Sequence, residues 1–273
     1  MKKVISILAT LMLTTMSINF ANAGSYGIGV TGSIMDVSAS GSVTEGNETT
    51  TSSASNNAIV PSIFAEYSLD DASWASKGNG VTYEMATIDG NGTEYVIDGA
   101  TSNKNTGSNS KDVDIASVFI ETNTLDHGFR LGFEWIPANA EFVNRSATQT
   151  NITDEDSTTE SKTQIVKGEF QNHMTLYVEK DIYKALYIKG GVSQVDIKSL
   201  ENVGTGSQYP DDTINGFSYG IGLRKQYDNG LLLKAEYSAS NYKTIKLNSS
   251  NTSNKVEGDL DSVSGRISVG YNF

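Results

Sequence analysis

Apolar and polar residues alternate with a period of two along most of this chain, which is the mark of strands that bury one face only. Tyr26, Ile28, Val30 and Ile34 oppose Gly27, Gly29, Thr31, Ser33 and Met35. Ile59, Ile63, Ala65 and Tyr67 oppose Ser62, Phe64 and Glu66, with Pro61 weakening the pairing near one end because it has no N–H to give. Val81, Tyr83 and Met85 predict a third strand, and Asp114 to Thr122 a fourth in which Ile115 and Phe119 oppose Val118 and Ile120. The fifth carries Phe129, Leu131, Phe133 and Trp135, and the sixth sends Phe170, Met174, Leu176 and Val178 to one side. Leu186, Ile188 and Val192, then Phe217, Tyr219, Ile221 and Leu223, then Leu231, Leu233, Tyr237 and Ala239 predict three more. Val263, Ile267, Val269, Tyr271 and Phe273 make the tenth, which runs to the last residue given.

The connections differ in kind. Those near Asp126, Asp181 and Asp228 read as tight turns, and Asp228-Asn229-Gly230 is a favoured hairpin turn. Asp89-Gly90-Asn91-Gly92 also reads as a turn. The stretches 38–57, 101–111, 144–162, 201–212 and 248–254 are rich in Ser, Thr, Asn and Gly and read as long solvated loops.

Composition narrows the class. The 26 glycines and 13 tyrosines against 3 prolines suit twisted strands, and a net charge of −12 excludes a phosphate-reading nucleic-acid surface. The chain has no cysteine, hence neither a disulfide framework nor a thiolate metal site. Met1-Lys2-Lys3, the apolar stretch from Val4 to Met16 and Ala21-Asn22-Ala23 have the three parts of a secretory signal. That apolar stretch is short of the roughly 20 residues a membrane helix needs. The expected organisation is a signal peptide at 1–23 and one domain at 24–273, about 250 residues long.

With export at one end, the other end gains meaning. Arg266, Tyr271 and Phe273 stand where the terminal assembly signal of bacterial outer-membrane barrels has a polar residue, an aromatic and a closing Phe, with Ser268 in place of the usual Gly. The chain resembles the small bacterial outer-membrane β-barrel proteins, of the opacity/OmpA type or porin-like. That resemblance implies an all-β fold, a closed antiparallel up-and-down transmembrane β-barrel of ten strands, with eight or twelve as alternatives. It further implies a place in the Gram-negative outer membrane among outer-membrane lipids and lipopolysaccharide, delivery by periplasmic chaperones and the barrel-assembly machinery, and long loops that can meet an extracellular ligand. A structural or surface-interaction role follows, with a narrow porin as the alternative and an outer-membrane enzyme behind both.

If the apolar faces meet lipid, Glu66, Glu84, Arg130, Glu134, His173, Glu179, Lys189, Arg224, Lys234, Glu236 and Arg266 all point into the lumen. Charges of both signs there imply a hydrogen-bonded interior network or, alternatively, a pore lining. The small residues Gly191, Gly220, Gly222 and Ser268 on the same face would leave gaps for water. Only His127 and His173 could do acid–base work, and neither has a nucleophile motif beside it. Gly27 to Gly32 matches a dinucleotide fingerprint without the helix that chemistry requires. Asp154-Glu155-Asp156 with Glu160 lacks the ordered spacing of a calcium loop and reads as a solvated acidic loop. No cofactor and no metal is expected.

Overall fold

In the computed structural model, residues 24–273 are described apart from 46–47, 70–75, 99–100, 123–124, 138, 154–158, 201–207 and 251–253; for β3, β6, both ends of β2 and the outer parts of β4 and β7 the description is of the backbone. The strands are β1 (Gly24–Glu45), β2 (Glu48–Leu69), β3 (Ser76–Asp98), β4 (Thr101–Thr122), β5 (Phe129–Ile136), β6 (Ala140–Thr153), β7 (Thr159–Tyr183), β8 (Leu186–Ser199), β9 (Asp212–Gln226), β10 (Leu231–Tyr242), β11 (Ile245–Asn248) and β12 (Lys255–Asn272). Neighbours in sequence pair antiparallel, and β12 returns to β1 in a long ladder from Gly27↔Asn272 to Thr44↔Lys255. The sheet therefore closes into a barrel, as the alternation predicts.

The ring has ten places. β5 and β6 lie end to end on β7, interrupted at Pro137, which cannot donate to a ladder. β10 and β11 lie end to end on β12, interrupted at Lys243 and Thr244. Closure joins the first and last strands of the ring, the condition for crossing lipid with strands, because no backbone group can find water there.

An apolar belt runs round the outside. Tyr26, Ile28, Val30 and Ile34 on β1, Phe129 to Trp135 on β5, Phe217 to Leu223 on β9 and Val263 to Tyr271 on β12 all stand exposed in alternation. From Tyr26 to Ile34 the belt spans about 27 Å of extended chain, or about 21 Å at a tilt near 40°, close to the roughly 25 Å of a barrel's lipid-facing band.

The strands outrun the belt. Three of the stretches read as loops, 38–57, 101–111 and 144–162, are largely paired: Ser38 sits opposite Ser55, Thr106 opposite Thr93 and Thr148 opposite Thr163. Asp89 to Gly92 is not a turn but part of β3, paired to β2 and β4. Hydroxyl-rich segments lack apolar periodicity, yet they continue a ladder whose register the belt has already fixed, so the loop-forming composition loses to cooperative pairing. Above the belt this wall is split, since β4 pairs β5 only from Val118 to Glu121 and, among the described residues, does not pair β6.

At the outer edge of the belt the two faces exchange character. On β8 the outward Ile188 and Val192 give way to Gln194 and Asp196, while Val195 and Ile197 turn inward and are buried. On β9 the outward Phe217 gives way to Asn215, with Ile214 buried inside. The same exchange brings Asp36 outside and Met35 inside on β1, and Asn57 outside with Ala58 and Val60 inside on β2. The outward-facing Asn241 and Asp261 meet at this level through a 2.7 Å hydrogen bond. Val195, Ile197 and Ile214 pack with Phe170, Tyr242, Ile245 and Leu260 into an apolar collar within the mouth. Below this level the solvent outside is hydrocarbon; above it the solvent is water, and the side chains exchange places accordingly.

Phe170 corrects the sequence reading, which sends it outward. A bulge between Gln171 and Met174, with Asn172 at φ 49°, adds a residue to β7 and turns Phe170 into the collar.

This boundary is testable. Ile221→Arg, in mid-belt, is expected to cost about 2–4 kcal/mol in urea unfolding from bilayers, whereas Asn215→Arg, six residues nearer the mouth, is expected to cost under about 1 kcal/mol. Equal losses at the two positions would show that the belt ends elsewhere.

Candidate functional site

Among the described side chains, Arg130, Glu134, Glu179, Lys189, Arg224, Lys234, Glu236 and Arg266 lie on the inner face, and the structure joins Arg130, Glu179, Lys189, Arg224, Lys234 and Glu236 into one cluster on the half of the lumen nearer the chain termini. Glu179 on β7 is fully buried. Arg224 Nη2 of β9 lies 2.9 Å from it, Lys234 Nζ of β10 3.2 Å and Arg130 Nη1 of β5 3.7 Å. The contact from Arg224 to Glu179 Oε2 is an ion pair without an aligned hydrogen bond. Glu236 on β10 accepts from the Tyr187 hydroxyl at 2.7 Å and pairs with Lys189 at 3.3 Å and Lys234 at 3.2 Å. Arg130 also grips Asp181 with both terminal nitrogens at 2.8 Å.

The longest chord runs from Arg224 on β9 to Glu121 on β4, at 3.2 Å. Going round the ring between those strands one passes β8, β7 and β5, so this pair crosses the lumen instead of following its wall. Glu121, Glu179, Asp181 and Glu236 face Arg130, Lys189, Arg224 and Lys234, a set balanced in sign. A buried carboxylate is tolerable only with such partners, and removing one of them strands the others.

Glycines seat the aromatic members. Tyr187 lies directly across from Gly222 in the β8–β9 register, and a Cβ at Gly222 would run into its ring. Tyr177 covers Gly132 across β5–β7, Tyr242 covers Gly216 across β9–β10, and Phe64 covers Gly29 across β1–β2, each in direct register. The bare glycine leaves a slot in which the ring lies flat against the wall. Each seated tyrosine then has its hydroxyl placed: Tyr177 donates to Glu121 at 3.0 Å, Tyr187 to Glu236, and Tyr242 meets His173 Nε2 at 2.9 Å. Lys189 stands over the Tyr177 ring at 4.1 Å, and Arg224 and Lys234 over that of Tyr187 at 5.3 Å and 5.2 Å.

The sequence expectation of gaps at the small residues is thus overturned at Gly222, filled by Tyr187, while Gly191 lies against Tyr177 and Ser218, and Ser268 accepts from Thr31 at 2.9 Å. Ser117 donates to Glu134 at 3.2 Å. His173 belongs not to the ionic cluster but to a polar step between it and the collar, beside Thr175, whose hydroxyl bonds Ser193 at 2.9 Å. Arg266 faces inward opposite Ser33 and Glu236 in register. Tyr271 and Phe273 instead face lipid, edge to face with centroids 5.2 Å apart. His127 lies exposed in the 3₁₀ turn Asp126–Gly128. The side chains of Glu66 and Glu84, and residues 154–156 of the acidic loop, lie outside the described residues.

Sequence reasoning missed Glu121, Asp181, Tyr177, Tyr187 and Tyr242 as members. The inward parity of Tyr177 and Tyr187 was readable, but nothing along the chain says which glycine of a neighbouring strand a tyrosine will sit opposite. No known family model matches the chain, and no curated protein matches it. Solved structures resemble it as barrels. The transport unit of the autotransporter AIDA-I from Escherichia coli is 10% identical over 94% of this chain and 93% of that one, with a TM-score of 0.40. The outer membrane protease OmpT from Escherichia coli is 10% identical over 91% and 97%, TM-score 0.36, and the outer membrane protein OprG from Pseudomonas aeruginosa 11% over 92% and 96%, TM-score 0.34.

Glu179→Gln is expected to destabilise the folded barrel by about 3 kcal/mol, because three cations lose their shared charge. The temperature at which the heat-modifiable band shifts on a gel measures it. Gly222→Val should lower that temperature as well by expelling the Tyr187 ring, and the pair Gly222→Val with Tyr187→Ser should lose less than the sum of the two changes.

Proposed function

We propose that this chain resides in the outer membrane of a Gram-negative bacterium, with both termini in the periplasm, as a closed barrel with a structural or surface-interaction role. The observation that supports this best is the Arg224–Glu121 chord with its buried hub at Glu179, which ties β9 to β4 across the lumen, backed at the mouth by the apolar collar. A lumen so crossed favours rigidity over passage of solute. The paired walls that project beyond the belt, rich in Ser, Thr and Asn, are then the working surface, and a cell-surface or matrix partner would meet them. Lipopolysaccharide would surround the belt's outer edge.

A narrow porin is the second reading. It is favoured by the inner faces of β1 and β12, where Thr31, Ser33, Ser264 and Ser268 present small hydroxyls beside Arg266. The outward Tyr271 and Phe273, edge to face on the closing strand, fit an assembly signal read by the barrel-assembly machinery.

Planar-bilayer recording of the refolded protein tests the first reading. Wild type is expected to stay silent, and Arg224→Ala to open small steps by removing the chord; stable nanosiemens openings from wild type would establish the porin. For assembly, deleting Phe273 is expected to leave export intact and to cut the heat-modifiable barrel in outer-membrane fractions several-fold. Full recovery of barrel in those fractions would remove the signal role from Phe273.

A further inference from the structure

At the terminal end of the belt, three lysines stand on the outside of the barrel, each against an aromatic ring. Lys180 Nζ lies 4.3 Å from the centroid of Phe129, Lys184 5.1 Å from Tyr183, and Lys225 5.6 Å from Tyr227. The rings themselves are exposed, Tyr183 by 64%. The elements are contiguous: Phe129 pairs Lys180 across β5–β7, Tyr183 pairs Leu186 across the β7–β8 turn, and Leu186 pairs Leu223, two residues before Lys225, across β8–β9.

None of the three lysines is in an ion pair among the described residues. The acid between Lys180 and Lys184, Asp181, points inward and is held by Arg130. Beside them stand Val178, Ile182 and Leu223, exposed and apolar. At the opposite edge of the belt the outward polar residues include Asp36, Asn57, Gln194, Asp196, Asn215, Asn241 and Asp261, whereas at this edge the three lysines stand with one exposed acid, Asp228, among the described side chains.

We propose that this edge is a binding site for an anionic phospholipid of the periplasmic leaflet. The inference rests on the membrane placement given above. The aromatic rings fix the depth of the barrel at the headgroup level, and each holds an ammonium at that depth without neutralising it. A phosphodiester with its negative charge is the complement to three uncompensated ammoniums, and acyl chains are the complement to the apolar belt above them. A free anion would satisfy the first half only. The stem of each lysine lies along apolar surface while its head reaches the phosphate.

The test uses the refolded protein in nanodiscs of equal phosphatidylglycerol and phosphatidylcholine, with retained lipid read by native mass spectrometry after gentle detergent release. Wild type is expected to retain phosphatidylglycerol at about fivefold or more over phosphatidylcholine. The triple variant Lys180→Gln, Lys184→Gln, Lys225→Gln should fall to near parity, and Lys243→Gln with Lys246→Gln and Lys255→Gln, at the other end of the barrel, should keep the preference. Single changes serve if the triple variant does not fold, each lowering the ratio in part. Equal retention of the two lipids by wild type, an unchanged ratio in the first variants, or loss of the lipid to millimolar inorganic phosphate would each overturn the site. Failure of the membrane placement would instead show as a barrel that does not enter bilayers of any composition, before the lipid ratio is read.

Discussion

The ladder between β1 and β12 is the constraint on which everything else depends. Ten strands with two free edges would leave rows of unbonded amides and carbonyls in hydrocarbon, each costing several kcal/mol. Val30↔Val269 and Ile28↔Tyr271 close that ring with apolar residues outward. Once the ring is closed, inside and outside are defined, and the period-two alternation assigns every side chain to one of them.

What fills the inside answers a volume problem. A barrel of this strand number is too narrow for a wide aqueous channel and too wide for small residues alone. The chain meets this with two devices that depend on each other. Glycines on one strand accept tyrosine rings from the next, and the tyrosine hydroxyls, held at fixed height, become partners for carboxylates that could not otherwise be buried. Glu179 and Glu236 then collect cations from four strands, so each ion pair also holds strands together across the lumen. Taken singly such pairs contribute little net stability against well-packed apolar groups, but they fix register and geometry, since any slip would leave a buried charge alone.

The exchange of faces at the mouth has the same origin as the belt. Wherever the surroundings are hydrocarbon, apolar side chains face out and polar ones pair inside; where the wall rises into water, Val195, Ile197, Ile214 and Phe170 collect inside as in any soluble sheet, and Asn241 and Asp261 face out. The barrel thus stacks a membrane protein and a soluble one on the same strands, with His173 and Tyr242 at the junction.

By itself the sequence determined the alternation, the number of crossings, the tight turn at Asp228 and the inward set from Arg130 to Arg266, because period two is a local property that a closed sheet can only obey. The change of parity was also written there, in Val192 followed by Val195 and in Ile214 followed by Phe217, though it reads as irregularity until the height of the belt is known. The tertiary structure decided the rest. The hydroxyl-rich stretches became paired wall because neighbouring ladders extend them, a gain no local composition shows. Phe170 turned inward because a single bulge at Asn172 shifts its register, and Glu121 met Arg224 because ring closure sets β4 opposite β9. Which tyrosine lies on which glycine is a matter of register between strands, and register is fixed by the whole ring at once.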